Sequence, residues 1–136
     1  MNTAERHIVE ESDTEVKFTD HLHESDLTIN EVVHQAYQTA KEKGWHDEPK
    51  SFGDDMALIH SEVSEALEAF RDNGQPTLMW YVGDDSKPEG VPSELADIVI
   101  RVADVCGKYG IDLESAIETK MAFNKTRPFR HGGKKL

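Results

Sequence analysis

Apolar residues fall three and four apart in this chain, segment after segment, and each run closes on a helix stop before the next begins. Ile29, Val32, Val33, Ala36 and Tyr37 form the first run, and Met56, Ile59, Val63, Ala66, Leu67 and Phe70 the second. Leu95, Ile98, Val99, Val102 and Cys106 form the third, and Leu113, Ile117 and Met121 the fourth. An α-helix brings residues at this spacing onto one face, so each run predicts one amphipathic helix with an inward stripe. The boundary residues agree. Thr28-Ile29-Asn30-Glu31 has the form of a capping box, and Gly44 stops the first helix after about Lys43. The second is expected to start between Ser51 and Asp54, to run to about Asp72 and to end at Asn73-Gly74. The third begins by Ser93, runs to about Lys108 and breaks at Tyr109-Gly110, and Asp112 caps a fourth that ends before Pro128. With no alternation of strand and helix, no internal repeat and no sustained heptad, the expected fold class is all-α, a four-helix bundle. A chain of 136 residues is one domain by size. Its stripes are narrow, so the helices are expected to bury further surface by self-association.

Between and before the helices the sequence is less explicit. Residues 1–26 are acidic, poor in aromatics and without periodicity, which predicts a flexible N-terminal arm ahead of a helical domain over 27–136. His21 and His23 lie in that arm without the further ligands a transition-metal site needs. Trp45 to Pro49 reads as a loop. The connection from Gln75 to Pro92 is long for so small a domain, and its apolar run Leu78 to Val82 fits a short strand, a small hairpin or an oligomer contact alike.

Charge narrows the function classes. A formal net charge of −12 argues against general nucleic-acid binding, which requires an excess of Lys and Arg on the contact surface. The imbalance is uneven: Lys120, Lys125, Arg127, Arg130, Lys134 and Lys135 form a basic C-terminal segment that holds no acid. An acidic body with a basic tail suits a small polyphosphate held through a divalent cation better than a long polyanion. The single cysteine, Cys106, forms no disulfide within one chain and sits in an apolar stripe as core. No signal-peptide run and no stretch of about 20 apolar residues is present, so a soluble, cytoplasmic protein with no membrane partner is expected.

The chemistry is concentrated in two acidic turns. Glu62-Val63-Ser64-Glu65 and Glu94-Leu95-Ala96-Asp97 each place two carboxylates one helical turn apart beside an apolar stripe. Four acids on the margin of a packed seam repel one another and lose solvation, a conflict that a divalent cation removes. Carboxylate oxygens on two facing helices are the hard donor set Mg²⁺ prefers, and Mn²⁺ is able to substitute. Arg101, four residues after Asp97, offers that acid an ion pair, but one arginine does not neutralise four acids. Neither acidic pair has the histidine of a Glu-x-x-His motif, and a His-Glu-x-x-His motif, a cysteine cluster, a phosphate-binding Gly-rich loop and a nucleophile elbow are all missing from the sequence.

Taken with the segments Leu58 to Ala69, Glu94 to Arg101 and Lys120 to Pro128, this pattern resembles the MazG-like all-α nucleoside triphosphate pyrophosphohydrolases from about Thr28 to Lys134. The resemblance implies hydrolysis of a (deoxy)nucleoside triphosphate to the monophosphate and pyrophosphate, with Mg²⁺, in a homodimer or homotetramer. The long insertion between the acidic pairs departs from the family pattern and leaves base specificity open. In this reading Glu62, Glu65, Glu94 and Asp97 hold the metal, and Glu62 or Glu65 orients or deprotonates the attacking water. Lys120, Asn124 and Arg127, on successive turns of one helical face, meet the phosphates. Trp45 stacks on the base, with His46 or Asp47 at its edge and Trp80 and Tyr81 as competitors, and His34 reaches the sugar or base. Arg71 pairs with a neighbouring acid. The alternatives are a related pyrophosphohydrolase acting on phosphoribosyl-ATP or an alarmone, and a non-catalytic helical binding module.

Overall fold

The structure is a computed structural model that describes residues 7–8, 27–133 and 135. Apart from a two-residue strand β1 (His7–Ile8), the expected N-terminal arm, including His21 and His23, lies outside the described residues. Four long helices follow: α1 (Ile29–Glu42), α2 (Phe52–Asn73), α3 (Val91–Tyr109) and α4 (Leu113–Thr126). Strands β2 (Trp80–Val82) and β3 (Lys87–Glu89) lie between α2 and α3, and a last short helix, α5 (Arg130–Gly133), falls in the basic tail. The chain is mostly helical, as the periodicity predicts.

Local chemistry sets the helix starts. Glu31 N donates to Thr28 Oγ1 at 3.2 Å and Thr28 N to Glu31 Oε2 at 2.7 Å, which completes the expected capping box. A second box, not expected, fixes α2: Asp54 N donates to Ser51 Oγ at 3.1 Å and Ser51 N to Asp54 Oδ2 at 2.9 Å. The shorter Asp serves where Glu is usual, and the Ser51 hydroxyl, which donates to Asp54 Oδ2 at 2.7 Å, together with the Ser51 N–H holds that carboxyl below the usual range. Asp112 caps α4 through Ser115 N at 3.0 Å and also accepts from Asn30 Nδ2 at 3.2 Å, tying the start of α4 to the start of α1. Helix α3 begins at Val91, within the expected bound of Ser93, with Pro92 in its first turn, where a missing N–H costs nothing.

The long connection is a hairpin. Trp80 pairs with Glu89, Tyr81 with Pro88 and Val82 with Lys87, and β1 adds antiparallel to the far edge of β2.

Helix α3 is the axis of the packing, with α1 and α2 both laid against it, while α4 meets α1. Val33 of α1 and Ala103 and Cys106 of α3 form the dry centre, flanked by Val32, Ala36, Val102 and Leu113. At Gly107 a Cβ would lie 2.4 Å from Tyr37 Cβ, so α1 and α3 approach there to a distance that admits no side chain.

Not every predicted stripe faces inward. Ala66 and Cys106 are buried, but Val63, Leu67 and Phe70 of α2, Leu95 and Val99 of α3 and Met121 of α4 are 44–58% exposed, and α4 buries no residue. The cause is a competition that periodicity does not see. Helix α2 turns Asp55 and Glu62 toward α3, where cations neutralise them, and the Val63, Leu67 and Phe70 edge of its apolar stripe is left on the outside. No helix among the described residues is long and apolar enough to cross a membrane.

Candidate functional site

Glu94, Asp97, Arg101, Asp104 and Lys108 recur at spacings of three and four along α3, so one polar face runs the length of the helix. Each half of that face is met differently. Toward its C-terminal end the charges are matched. Lys108 Nζ donates to Asp55 Oδ2 at 2.6 Å and Tyr109 OH donates to the same oxygen at 3.1 Å, which satisfies a carboxylate that is only 6% exposed. His46 Nε2 lies 2.7 Å from Asp104 Oδ1, and the edge of Tyr37 packs on the imidazole. In the middle, Arg101 Nε donates to Glu62 Oε1 at 2.7 Å. Arg101 therefore pairs with an acid on the facing helix and not with Asp97, its neighbour one turn back. Bringing α2 and α3 together lets the guanidinium reach the more deeply buried carboxylate.

Toward the N-terminal end the acids outnumber their partners. Glu62, Glu65 and Glu94 each offer a carboxylate oxygen, and these oxygens lie within 4.8 Å of one another. Glu62 and Glu94 are buried and Glu65 is exposed. Asp97 stands beside the trio without entering it. Burial first, and then the charges of Glu65, Asp97, Glu89 and Glu62, hold the Glu94 carboxyl above the usual carboxylate range. Burial and the Glu62 charge likewise raise Asp97, against the pull of Arg101 and Lys87. The trio suits Mg²⁺ or Mn²⁺: all donors are carboxylate oxygens, they come from two helices, and the spread is small enough for rotamer changes to draw them onto one ion. Arg101 holds Oε1 of Glu62, and no hydrogen bond among the described residues engages Oε2.

A cleft of about 470 Å³ opens from this cluster toward α1. Glu62, Asp97, Arg101, Trp45, His46 and Lys50 are among its lining residues, and Arg101 stands between the Glu62 carboxylate and the Trp45 ring. Trp45 is 58% exposed at the rim, with Arg101 Cζ 5.8 Å and Lys50 Nζ 5.6 Å from its ring centre. An exposed indole at the rim of a cleft, with two cations near its ring, is able to receive a planar ligand.

The remaining predicted residues lie elsewhere. His34 is exposed on α1 and is not among the residues lining the cleft. Asp47 is also exposed and outside it, Trp80 is half-buried in β2, and Tyr81 is exposed. Lys120 and Asn124 ride on α4, which packs on α1, and Arg127 is its C-cap in extended backbone and not a further residue of the expected helical face, so a single chain does not bring them to the acids. The Lys120 and Arg127 cations instead gather 5.4 Å and 5.8 Å from the Phe123 ring. Arg71 pairs with Glu68 at 3.4 Å, a neighbouring acid as expected. Sequence reasoning missed Asp55, Asp104 and Lys108. Their signal was present for Asp104 and Lys108, which continue the spacing of Glu94 and Asp97 along α3.

Comparison with protein-family models, with curated proteins and with solved structures finds no match to this chain.

Proposed function

We propose that the protein is a MazG-like, Mg²⁺-dependent pyrophosphohydrolase that cleaves a (deoxy)nucleoside triphosphate to its monophosphate and pyrophosphate by attack of water at the α-phosphorus. The observation that carries this reading is the meeting of Glu62, Glu65 and Glu94 oxygens within 4.8 Å, beside a cleft that Glu62, Asp97 and Trp45 line. Glu62, Glu65 and Glu94 would hold the ion, with Asp97 beside them to accept a second ion or a bound water. The metal supplies charge neutralisation for the triphosphate and a lowered pKa for the attacking water. Glu65 has no cation partner among the described residues, whereas Glu62 is tied to Arg101, so Glu65 is the better placed of the two to orient that water and take its proton. Trp45 stacks on the base, and His46, fixed by Asp104, stands at its edge.

The chain works, in this reading, as a bundle of the all-α pyrophosphohydrolase type that completes itself as a homodimer or homotetramer. The outward stripes on α2, α3 and α4 supply the apolar surface for association. A partner copy's α4 and its C-cap then offer Lys120, Asn124 and Arg127 to the phosphates that the same residues do not reach within one chain.

Product analysis tests the reading. Canonical and modified nucleoside triphosphates, incubated with the full chain, are expected to yield monophosphate and pyrophosphate with Mg²⁺ and nothing without it. Glu94→Gln combined with Asp97→Asn is expected to lower kcat by about a hundredfold or more. Release of inorganic phosphate in place of pyrophosphate overturns the attack at the α-phosphorus. Turnover of phosphoribosyl-ATP or an alarmone alone would move the assignment to those substrates, and absence of turnover with every nucleotide would leave a helical binding module.

A further inference from the structure

The hairpin β2–β3 contributes nothing to the acidic trio, yet it is fastened to the helix that carries Glu94. Gly90 joins β3 to α3 at φ +107°, and a Cβ there would lie 2.4 Å from the Leu78 carbonyl oxygen and 2.8 Å from the Trp80 ring. The start of β2 is thus pressed onto the first turn of α3. Ser93 Oγ donates to the Pro88 carbonyl at 3.1 Å and locks β3 to the same turn. The position of β3 is therefore set by the first turn of α3, the turn that carries Glu94. Lys87 rides on this strand, 66% exposed, with Nζ 2.5 Å from Glu89 Oε1. The pairing with Glu89 comes first, and the charges of Glu94 and Asp97 add to it, in holding the ammonium more firmly protonated than an ordinary lysine.

The other cations of the polar face are committed, Arg101 to Glu62 and Lys108 to Asp55. Both also lie on the Trp45 side of the acids. Asp104, which fixes His46, stands two helical turns beyond Asp97, about 10 Å along the axis. That is roughly the reach of a nucleoside from its α-phosphorus to the far edge of its base. A ligand with its base at Trp45 and its α-phosphate at the acids has its remaining phosphates on the opposite side, toward the N-terminus of α3 and the hairpin.

We propose that Lys87 is the residue of this chain that receives the pyrophosphate end of the substrate, exchanging its Glu89 partner for a phosphate oxygen. The proposal rests on the reading of Glu62, Glu65 and Glu94 as the metal site and adds to it the direction in which the substrate lies. The hairpin then acts as a specificity element for chain length: a triphosphate reaches Lys87 and a monophosphate does not. Glu89 competes with the ligand for the ammonium, so its removal is expected to help binding.

Calorimetry on the full chain separates these claims, with MgCl₂ alone as the first titrant and inorganic pyrophosphate in excess Mg²⁺ as the second. Lys87→Ala is expected to weaken pyrophosphate binding roughly tenfold, in line with one charge-assisted hydrogen bond, and to leave Mg²⁺ binding intact. Lys87→Arg restores most of the loss, and Glu89→Gln tightens pyrophosphate binding about twofold to threefold. Lys87 is exposed, and matching circular dichroism spectra confirm that the variants fold. Equal pyrophosphate affinity in wild type and Lys87→Ala, with Mg²⁺ binding present, overturns the role of Lys87 alone. Failure of the wild type to bind Mg²⁺ at all overturns the metal site and this proposal together.

Discussion

The two halves of α3 solve the same problem in opposite ways. From Arg101 to Tyr109 every buried or half-buried acid that faces the helix has a donor: Glu62 has Arg101, Asp104 has His46, and Asp55 has both Lys108 and Tyr109. The apolar side of that half closes on α1 through Ala103 and Cys106. From Val91 to Val99 the acids crowd without matching cations, two of them held above their usual range, and the apolar residues Leu95 and Val99 face outward. A stretch of helix that gives up charge pairing and, beyond Val91, buries no apolar side chain fully is poorly explained as scaffold. The C-terminal half holds the fold together, and the N-terminal half is left in a state that a cation and a second surface would improve.

Three substitutions sharpen that contrast. Asp55→Ala strips Lys108 and Tyr109 of a shared, buried partner, and denaturant unfolding is expected to show a loss of about 3 kcal/mol. A loss well below 1 kcal/mol would mean that the matched half is not what stabilises the molecule. Gly107→Ala sets a methyl against Tyr37 where α1 and α3 touch, with an expected cost of about 1–3 kcal/mol. The cavity-free contact would be contradicted by an unchanged midpoint. Glu94→Gln has the smallest effect and the opposite sign. The folded state holds the Glu94 proton more tightly than the unfolded chain does, so stability present below the ordinary carboxylate range is lost as pH rises through the raised folded value. At neutral pH the ionised group therefore weakens the metal-free protein. Thermal unfolding of Glu94→Gln without metal is expected to rise by about 2 °C at about pH 7, with little change at about pH 4, and to lose the Mg²⁺-dependent increment of the wild type. A drop at neutral pH would show that Glu94 is a supporting group after all.

Much of the helical frame was legible because its signals are local. Thr28 with Glu31, Gly74, Gly110 and Asp112 act within a turn of themselves, and they stand where the sequence places them. The Ser51–Asp54 box obeys the same rule with a less usual acid and was passed over. The hairpin was one of three options for the long connection, since a run such as Leu78 to Val82 states a preference for burial without naming a partner. The stripes on α2 and α4 show the same gap: periodicity identifies residues that share a face, and packing decides whether another helix covers it. In the candidate site the two acidic pairs were visible from their spacing, but the ion pairs of Asp55, Glu62 and Asp104 join residues 39–58 positions apart, which only the fold brings together.

The ion pairs between α2 and α3 also act as a vernier. Moving seven residues back along α2, from Glu62 to Asp55, moves the partner seven forward along α3, from Arg101 to Lys108. A slip of one turn, about 5.4 Å, in one direction would set Glu62 opposite Asp97 and Asp55 opposite Asp104, acid upon acid at both points. The opposite slip would press Glu62 against Val105, a residue only 7% exposed. The two helices consequently have one alignment available to them, and the spacing of the three clustered carboxylates is inherited from salt links that lie farther down the same pair.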